Sequence, residues 1–172
     1  MINLAKSRNK GAFYNFSFTE IDKLSGPFEG VYCIGNSLSY LPSSSTDRFL
    51  KDVYRLLNDF GYFVIQVVNW DKFQLTEAAD FPIKTLADGR TFHRSYERLK
   101  NSTVLFHTEL RKEGEIQSCW SDTLYPKYLA DMASDIKASG MILVDKFGDY
   151  DKSPFIPLSS PATILVAQKA AK

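Results

Sequence analysis

The chain has 172 residues, of which 44% are hydrophobic and 24% charged, with a formal net charge of +1. This length suits one domain with a buried core, and charges of mixed sign indicate neither a nucleic-acid-binding patch nor an acidic tail. Two cysteines provide neither a disulfide framework nor a zinc site, and no apolar stretch suits a membrane span or a signal peptide, so we expect a cytoplasmic protein.

The N-terminal elements are short. Residues 1–8 (MINLAKSR) resemble the last two turns of a helix, and residues 12–18 (AFYNFSF) alternate loosely and predict a strand. Glu20 follows, before Ile21 and Leu24. An acidic side chain is favourable at the positive end of a helix, so Glu20 is consistent with a helix start as well as with a ligand contact.

A β-α-β unit forms the centre of the chain. Residues 30–34 (GVYCI) predict a buried strand that ends at Gly35 and Asn36, and residues 62–69 (YFVIQVVN) predict a second strand that ends at Asn69. Between them, apolar residues at helical spacing predict a helix over 42–60 with Gly61 as its stop. Ligands of open α/β sheets bind outside the carboxyl ends of the strands, so we expect Gly35, Asn36 and Asn69 to meet at one cleft.

The second half of the chain predicts an insert and a closing hairpin. Residues 70–86 suit a lid or short helix, and strands over 91–99, 103–112 and 115–124 indicate an antiparallel insert at 90–124. A helix over 125–139 and strands over 141–147 and 163–168 follow. Arg94 can hold a carboxylate with two hydrogen bonds, although the alternating pattern favours Arg94 and Tyr96 as solvent-facing partners of Phe92 on a half-exposed strand. His93 and His107 lack metal-ligand spacing, so we assign no metal.

The order of these segments resembles class I S-adenosylmethionine-dependent methyltransferases, in particular the glycine/sarcosine N-methyltransferase type. The specific part is residues 28–73, where FEGVYCIGNSLSYL (28–41) and LLNDFGYFVIQVVNWDKF (56–73) are similar to the fourth and fifth strands of that family. The resemblance implies one Rossmann-like methyltransferase domain over 1–172. Its sheet is mostly parallel, in the order third, second, first, fourth, fifth, seventh, sixth, and it ends in an antiparallel hairpin.

The resemblance also implies S-adenosylmethionine as the cofactor and a small-molecule methyl acceptor, with transfer to nitrogen by in-line displacement. The residues that it implies for the cofactor are Glu20, Ile21, Cys33, Ile34, Gly35, Asn36 and Leu38. Those that it implies for the acceptor are Asn36, Asn69, Arg94 and Tyr96, with His107 as a further residue to test. Replacing Asn36 by Ala is then expected to lower turnover more than stability.

The family's first strand, glycine-rich turn and ribose-binding acidic residue have no counterpart in this sequence. On the resemblance, this chain alone is therefore expected to bind S-adenosylmethionine poorly and to transfer no methyl group. The alternative function is a noncatalytic fragment that acts as a binding module. The strand at 31–34 would also have an open edge, which we expect to pair with residues 12–18 or with a partner chain in a homo-oligomer or complex.

Overall fold

The computed structural model describes residues 2–73 and 78–171. Its helices are α1 (Ile2–Arg8), α2 (Ser43–Leu56), α3 (Trp70–Phe73) and α4 (Leu129–Ala138), with two 3₁₀ helices at Phe18–Lys23 and Ser37–Tyr40. Its strands are β1 (Phe28–Cys33), β2 (Leu57–Val68), β3 (Ala78–Asp80), β4 (Lys84–Thr85), β5 (Thr91–Arg98), β6 (Val104–Lys112), β7 (Glu115–Leu124), β8 (Met141–Phe147) and β9 (Ala162–Lys169). None of these helices is long and apolar enough to cross a membrane.

The strands form two sheets. In the first, the order is β1-β2-β9-β8, with β1 and β2 parallel and β9 antiparallel to both of its neighbours. The predicted order of fourth, fifth, seventh and sixth strands is therefore confirmed, including the closing hairpin. The second sheet is antiparallel in the order β3-β5-β6-β7, with β4 also on β5. Its long strands have nearly the bounds that the alternating pattern predicts.

The core lies between the first sheet and helices α2 and α4. On β2, every second side chain from Phe63 to Val67 is buried, because side chains alternate between the two faces of a strand. Phe49 and Val53 on α2 bury the matching helical face. These residues belong to one apolar cluster, so the hydrophobic periods of strand and helix fix which face of each element points inward.

The helix predicted over 42–60 ends earlier, at Leu56, and Gly61 is not its stop. Leu57 already pairs with Phe28 as the first residue of β2. A Cβ atom at Gly61 would meet the Asn58 carbonyl oxygen at 2.9 Å and the carbonyl oxygens of Phe28 and Glu29 at 3.2 Å. Glycine is therefore required here by the close approach of β1 to β2. In the sequence, a glycine kept for this tertiary contact looks the same as a glycine that ends a helix.

The strand predicted over 12–18 is wrong. Residues 12–17 pair with no strand among the described residues, and Tyr14 and Phe16 instead stack on each other with ring centroids 5.2 Å apart. Ser17 caps the 3₁₀ helix that begins at Phe18, because its hydroxyl accepts the Thr19 amide. This local capping competes with strand pairing. The expectation that residues 12–18 would cover the edge of β1 is therefore also wrong.

The helix predicted over 125–139 begins four residues later, at Leu129. Pro126 has no N–H group, and the Tyr125 amide donates to the Ser39 carbonyl instead of starting a helix. Tyr128 is the extended N-cap, and the Leu129 amide donates to the Asp71 carboxylate at 3.1 Å. The segment before α4 thus ties the second sheet to the carboxyl end of the first.

Lys127 in this segment is a buried cation that should make stability depend on pH. It is 5% exposed, and its ammonium group donates to the Thr46 hydroxyl at 2.8 Å. Burial lowers the pKa of Lys127 from 10.5 to about 8, against the opposing charges of Asp135 and Asp131. Between these two pH values the unfolded chain binds more protons than the folded chain, so the free energy of unfolding rises with pH.

We expect this rise to be about 1–2 kcal/mol between pH 7 and 10 and to be absent from Lys127→Met. Urea unfolding at several pH values measures it, as the difference between the wild-type protein and the variant. Lys137→Met replaces an exposed lysine on α4 and should preserve the rise. Identical pH profiles for the wild-type protein and Lys127→Met would contradict the prediction.

Candidate functional site

A left-handed turn connects the end of β1 to the end of β2. Gly35 has a φ of 70° and Asn36 a φ of 62°, a backbone conformation that glycine and asparagine tolerate best. The Gly35 amide donates to the Gln66 side-chain oxygen at 2.7 Å. The Asn36 Oδ1 atom accepts the Val68 amide at 3.0 Å, so one side chain joins the two carboxyl ends of the parallel strands.

A second set of hydrogen bonds connects the Asn36 side chain to the buried residues Ser39 and Trp70. The Ser39 hydroxyl donates to the Asn36 Oδ1 atom at 2.8 Å and accepts the Trp70 Nε1–H group at 2.9 Å. Ser39 and Trp70 are both buried. The Asn36 Nδ2 group, by contrast, donates to no other residue in the described part of the chain. The side chain is therefore held in place through its Oδ1 atom, and its Nδ2 group is a free hydrogen-bond donor at this edge.

Asn69 lies at the same edge of the sheet as Asn36, as predicted, but it is closed to a substrate. The residue is fully buried. Its Nδ2 group donates to the Pro157 carbonyl at 2.8 Å and to the Ser160 carbonyl at 3.0 Å, while its Oδ1 atom accepts the Lys72 amide. These bonds use its whole amide group. Asn69 fastens the loop before β9 to the strand end and offers no atom to a substrate.

The predicted cofactor residues of this turn differ in access. Ile34 is 40% exposed, and a side chain at Gly35 would meet no atom within 4 Å, so the space above both is open. Leu38 is fully buried and presents no surface to a ligand. Cys33 is also buried, which raises the pKa of its thiol to about 11, so only its backbone suits a ligand contact.

Glu20 and Ile21 lie on the 3₁₀ helix Phe18–Lys23, which packs against α2. The Glu20 carboxylate accepts the Ser17 amide at 3.0 Å and forms an ion pair with Lys23. The Lys23 hydrogen bond and the Ser17 amide lower the pKa of Glu20. Both carboxylate oxygens are therefore used locally, which matches the helix-start interpretation of Glu20, and Ile21 packs against the core.

The other two predicted acceptor residues lie on β5. Tyr96 is 8% exposed and stacks on Trp70 with ring centroids 5.3 Å apart. Arg94 lies two residues away on the same strand face, with its guanidinium carbon 5.3 Å from the Phe81 ring centroid. Its Nε atom is buried without a hydrogen-bond partner in the described residues. Such an orphaned donor is consistent with an anionic ligand group.

Tyr40 was missed by the sequence interpretation. It is 42% exposed, follows the Asn36 turn directly, and belongs to the 3₁₀ helix that contacts the end of β7. Burial and, second, the charge of Asp122 raise the pKa of Tyr40. Burial, with Tyr40 as the next cause, raises the pKa of Tyr96 to about 12, against the opposing charge of Arg94. Tyr40 is thus within electrostatic range of Asp122 and Tyr96 on the second sheet.

A cleft of about 550 Å³ lies elsewhere, on the second sheet. Its lining includes His107, whose ring contacts the Ser121 hydroxyl at 2.8 Å and the Glu109 carboxylate at 3.1 Å. Ser95, the cross-strand partner of His107, is adjacent to Tyr96 along β5. Neighbouring residues on a strand point to opposite faces, so His107 and Tyr96 lie on opposite faces of the second sheet. The Asn36 turn does not line this cleft, but Arg94 and Phe81 do.

No protein-family model and no curated protein sequence matches the chain. Solved structures do match. An S-adenosylmethionine-dependent methyltransferase from Clostridium acetobutylicum has a TM-score of 0.80 and 14% identity over 98% of this chain and 69% of its own. The CcbJ methyltransferase from Streptomyces caelestis has a TM-score of 0.76 and 21% identity over 91% of this chain and 62% of its own.

The sugar N-methyltransferase KedS8 from a Streptoalloteichus species has a TM-score of 0.70 and 16% identity over 99% of this chain and 67% of its own. At these identities the likeness concerns the fold. It extends over nearly the whole of this chain, which spans about two thirds of each solved structure. The chain therefore has the α/β fold of class I S-adenosylmethionine-dependent methyltransferases.

Proposed function

We propose that this chain takes part in the transfer of a methyl group from S-adenosylmethionine to a nitrogen atom of a small molecule. The observation that carries the proposal is the Asn36 turn. On a methyltransferase fold, it presents a fixed and free amide donor beside open space, at the carboxyl ends of two parallel strands. The N-methyltransferase activity named for KedS8 supports nitrogen as the acceptor atom.

The residues at this turn would contact one end of the cofactor. S-adenosylmethionine supplies an activated methyl group on a sulfonium ion. The Asn36 Nδ2 group would donate to an acceptor oxygen or to the carboxylate of the cofactor, and Ile34 would provide apolar contact next to the open backbone of Gly35. A carboxylate that accepts from a fixed amide gains a charge-assisted hydrogen bond. The residues for the other end of the cofactor are not assigned.

The methyl acceptor would lie between the two sheets. The Tyr40 phenol is protonated at neutral pH, as an ordinary tyrosine is, and its oxygen can accept a hydrogen bond from an amine N–H group. That contact would orient the nitrogen lone pair towards the methyl group. Arg94 would bind an anionic group of the same acceptor. The chain's contribution to catalysis is then position and the exclusion of water, since a neutral amine needs no activated nucleophile.

Asn36→Asp is the variant that tests the cofactor contact. Replacement by Ala would orphan the Val68 amide and would place Ala in a left-handed conformation, so loss of stability would obscure any functional effect. Asp keeps the Oδ1 acceptor and replaces the Nδ2 donor with a negative charge that repels a carboxylate. We expect a loss of at least about tenfold in affinity for S-adenosylmethionine, with little change in stability.

The measurement is titration of the ¹⁵N-labelled chain with S-adenosylmethionine. We expect weak binding that shifts the backbone signal of Gly35 and the side-chain amide signal of Asn36. Asn9→Asp carries the same chemical change on an exposed residue after α1 and should bind as the wild-type protein does. Absence of any shift at residues 33–40, even at millimolar cofactor, would remove the support for a methyltransferase and favour a noncatalytic binding module.

A further inference from the structure

β7 carries a carboxylate on the face that looks towards the first sheet. Tyr96 on β5 pairs with Phe106 on β6, and Phe106 pairs with Asp122 on β7. Paired residues on neighbouring strands project from the same face of a sheet, so Asp122 shares the face of Tyr96. The Tyr96 ring stacks on Trp70, which supports the Asn36 turn. Asp122 therefore lies on the side of the second sheet that faces the candidate site.

The end of β7 is held against the 3₁₀ helix Ser37–Tyr40. The Tyr125 amide, directly after β7, donates to the Ser39 carbonyl at 2.7 Å. Asp122 comes three residues earlier, and its charge is the second cause, after burial, that raises the pKa of Tyr40. Within the part of the chain that the structure describes, the Asp122 carboxylate forms no hydrogen bond or ion pair. Its negative charge thus acts at the Tyr40 phenol without an ion-pair partner among those residues.

An aromatic ring accompanies this carboxylate. Trp120 lies two residues before Asp122, in a part of β7 that pairs regularly with β6. Both side chains therefore project from the same face, with their Cα atoms roughly 7 Å apart. Trp120 is 50% exposed, so its ring is open to a ligand. The face of an indole ring and a carboxylate both attract cations, and the two together suit an ammonium group.

We propose that Asp122 and Trp120 form a site for the positive charge of the acceptor nitrogen, next to the Tyr40 phenol that orients it. This inference rests on the proposed function. During the transfer, the nitrogen lone pair forms the new N–C bond while the C–S bond breaks and its electron pair stays on sulfur, so the positive charge passes from sulfur to nitrogen. A carboxylate on the acceptor side stabilises this developing charge more than it stabilises the neutral amine, and such differential stabilisation accelerates a reaction.

The site also specifies the class of the acceptor. A basic amine is a cation in neutral solution, so the Asp122 carboxylate attracts it. It loses one proton to solvent before the transfer and becomes a cation again when it is methylated. A hydroxyl group or an amide nitrogen is neutral and gains much less from a nearby carboxylate. The acceptor is therefore a molecule with a basic amine.

The test uses choline, whose quaternary nitrogen has a permanent positive charge, and 3,3-dimethyl-1-butanol, which has the same shape without the charge. Each compound is titrated into the ¹⁵N-labelled chain without S-adenosylmethionine. The chain contains two tryptophans, so the indole N–H signal of Trp120 is assigned by its loss in Trp120→Phe. We expect choline to shift this signal and to bind at least about threefold more tightly than the neutral compound.

Asp122→Asn removes the charge and keeps the size of the side chain. We expect it to weaken choline binding at least about threefold, with unchanged binding of 3,3-dimethyl-1-butanol and an unchanged urea midpoint. Asp145→Asn makes the same change on an exposed residue of β8 and should bind choline as the wild-type protein does. Equal affinity for the two compounds, or wild-type affinity of Asp122→Asn for choline, would overturn the proposal.

A separate titration with S-adenosylmethionine distinguishes this failure from failure of the proposed function. If the Gly35 and Asn36 signals respond to the cofactor but choline has no advantage over the neutral compound, the role of Asp122 is wrong and methyl transfer keeps its support. If choline binds at Asp122 but no signal of residues 33–40 responds to the cofactor, methyl transfer loses its support, and with it the role of Asp122 in that reaction.

Discussion

Replacing Trp70 by Ala should destabilise the protein by about 3–5 kcal/mol, the usual cost of truncating a large buried aromatic side chain. Trp70 is 1% exposed. Its ring lies 5.3 Å from Tyr96 on the second sheet, and its N–H group donates to the Ser39 hydroxyl, which in turn holds Asn36. The change therefore leaves a cavity between the two sheets and removes one support of the candidate site.

Urea unfolding followed by circular dichroism measures this loss. The chain contains two tryptophans, and the other one provides a matched control. Trp120 is 50% exposed on β7, so Trp120→Ala should change the free energy of unfolding by less than about 1 kcal/mol. Trp70→Phe keeps a ring but removes the hydrogen bond to Ser39, and it should fall between these values. Equal losses for the two alanine variants would contradict a central role for Trp70.

Replacing Asn69 by Ala should cost about 2–4 kcal/mol, because it removes three hydrogen bonds that a fully buried side chain makes to two separate segments. The carbonyls of Pro157 and Ser160 lose their donor, and the Lys72 amide loses its acceptor. Water cannot easily replace a side chain that is fully buried. Thermal and urea unfolding measure the effect.

The same variant separates a structural role for Asn69 from a role in substrate binding. If Asn69 is structural, the Gly35 and Asn36 signals of folded Asn69→Ala should respond to S-adenosylmethionine as in the wild-type protein. Asn9→Ala, which changes an exposed asparagine, should alter stability by less than about 0.5 kcal/mol. Unchanged stability of Asn69→Ala would show that the buried amide is dispensable and would reopen its assignment.

The spacing of apolar residues within a helix or strand depends on that element alone. For this reason the sequence by itself determined the fold class and most of the elements. The apolar runs at Val31 and Phe63 predicted two parallel strands, and the alternating runs of β5, β6 and β7 predicted an antiparallel insert. The order of the first sheet followed from the family resemblance. The polar turn after each strand placed Asn36 and Asn69 at one edge, since the carboxyl ends of parallel strands meet there.

Tertiary structure alone decided which of these residues remain available to a ligand. Asn36 and Asn69 look alike in the sequence. The Asn69 Nδ2 group, however, donates to carbonyls 88 and 91 residues further along the chain, while the Asn36 Nδ2 group keeps a free donor. Gly61 follows a run of residues at helical spacing, so it resembled a helix stop. Its real role depends on carbonyl groups of β1, about thirty residues earlier in the chain, which a local pattern does not reveal. Residues 12–17 have the alternation of a strand but no adjacent edge, and a strand forms only where another strand supplies its hydrogen bonds.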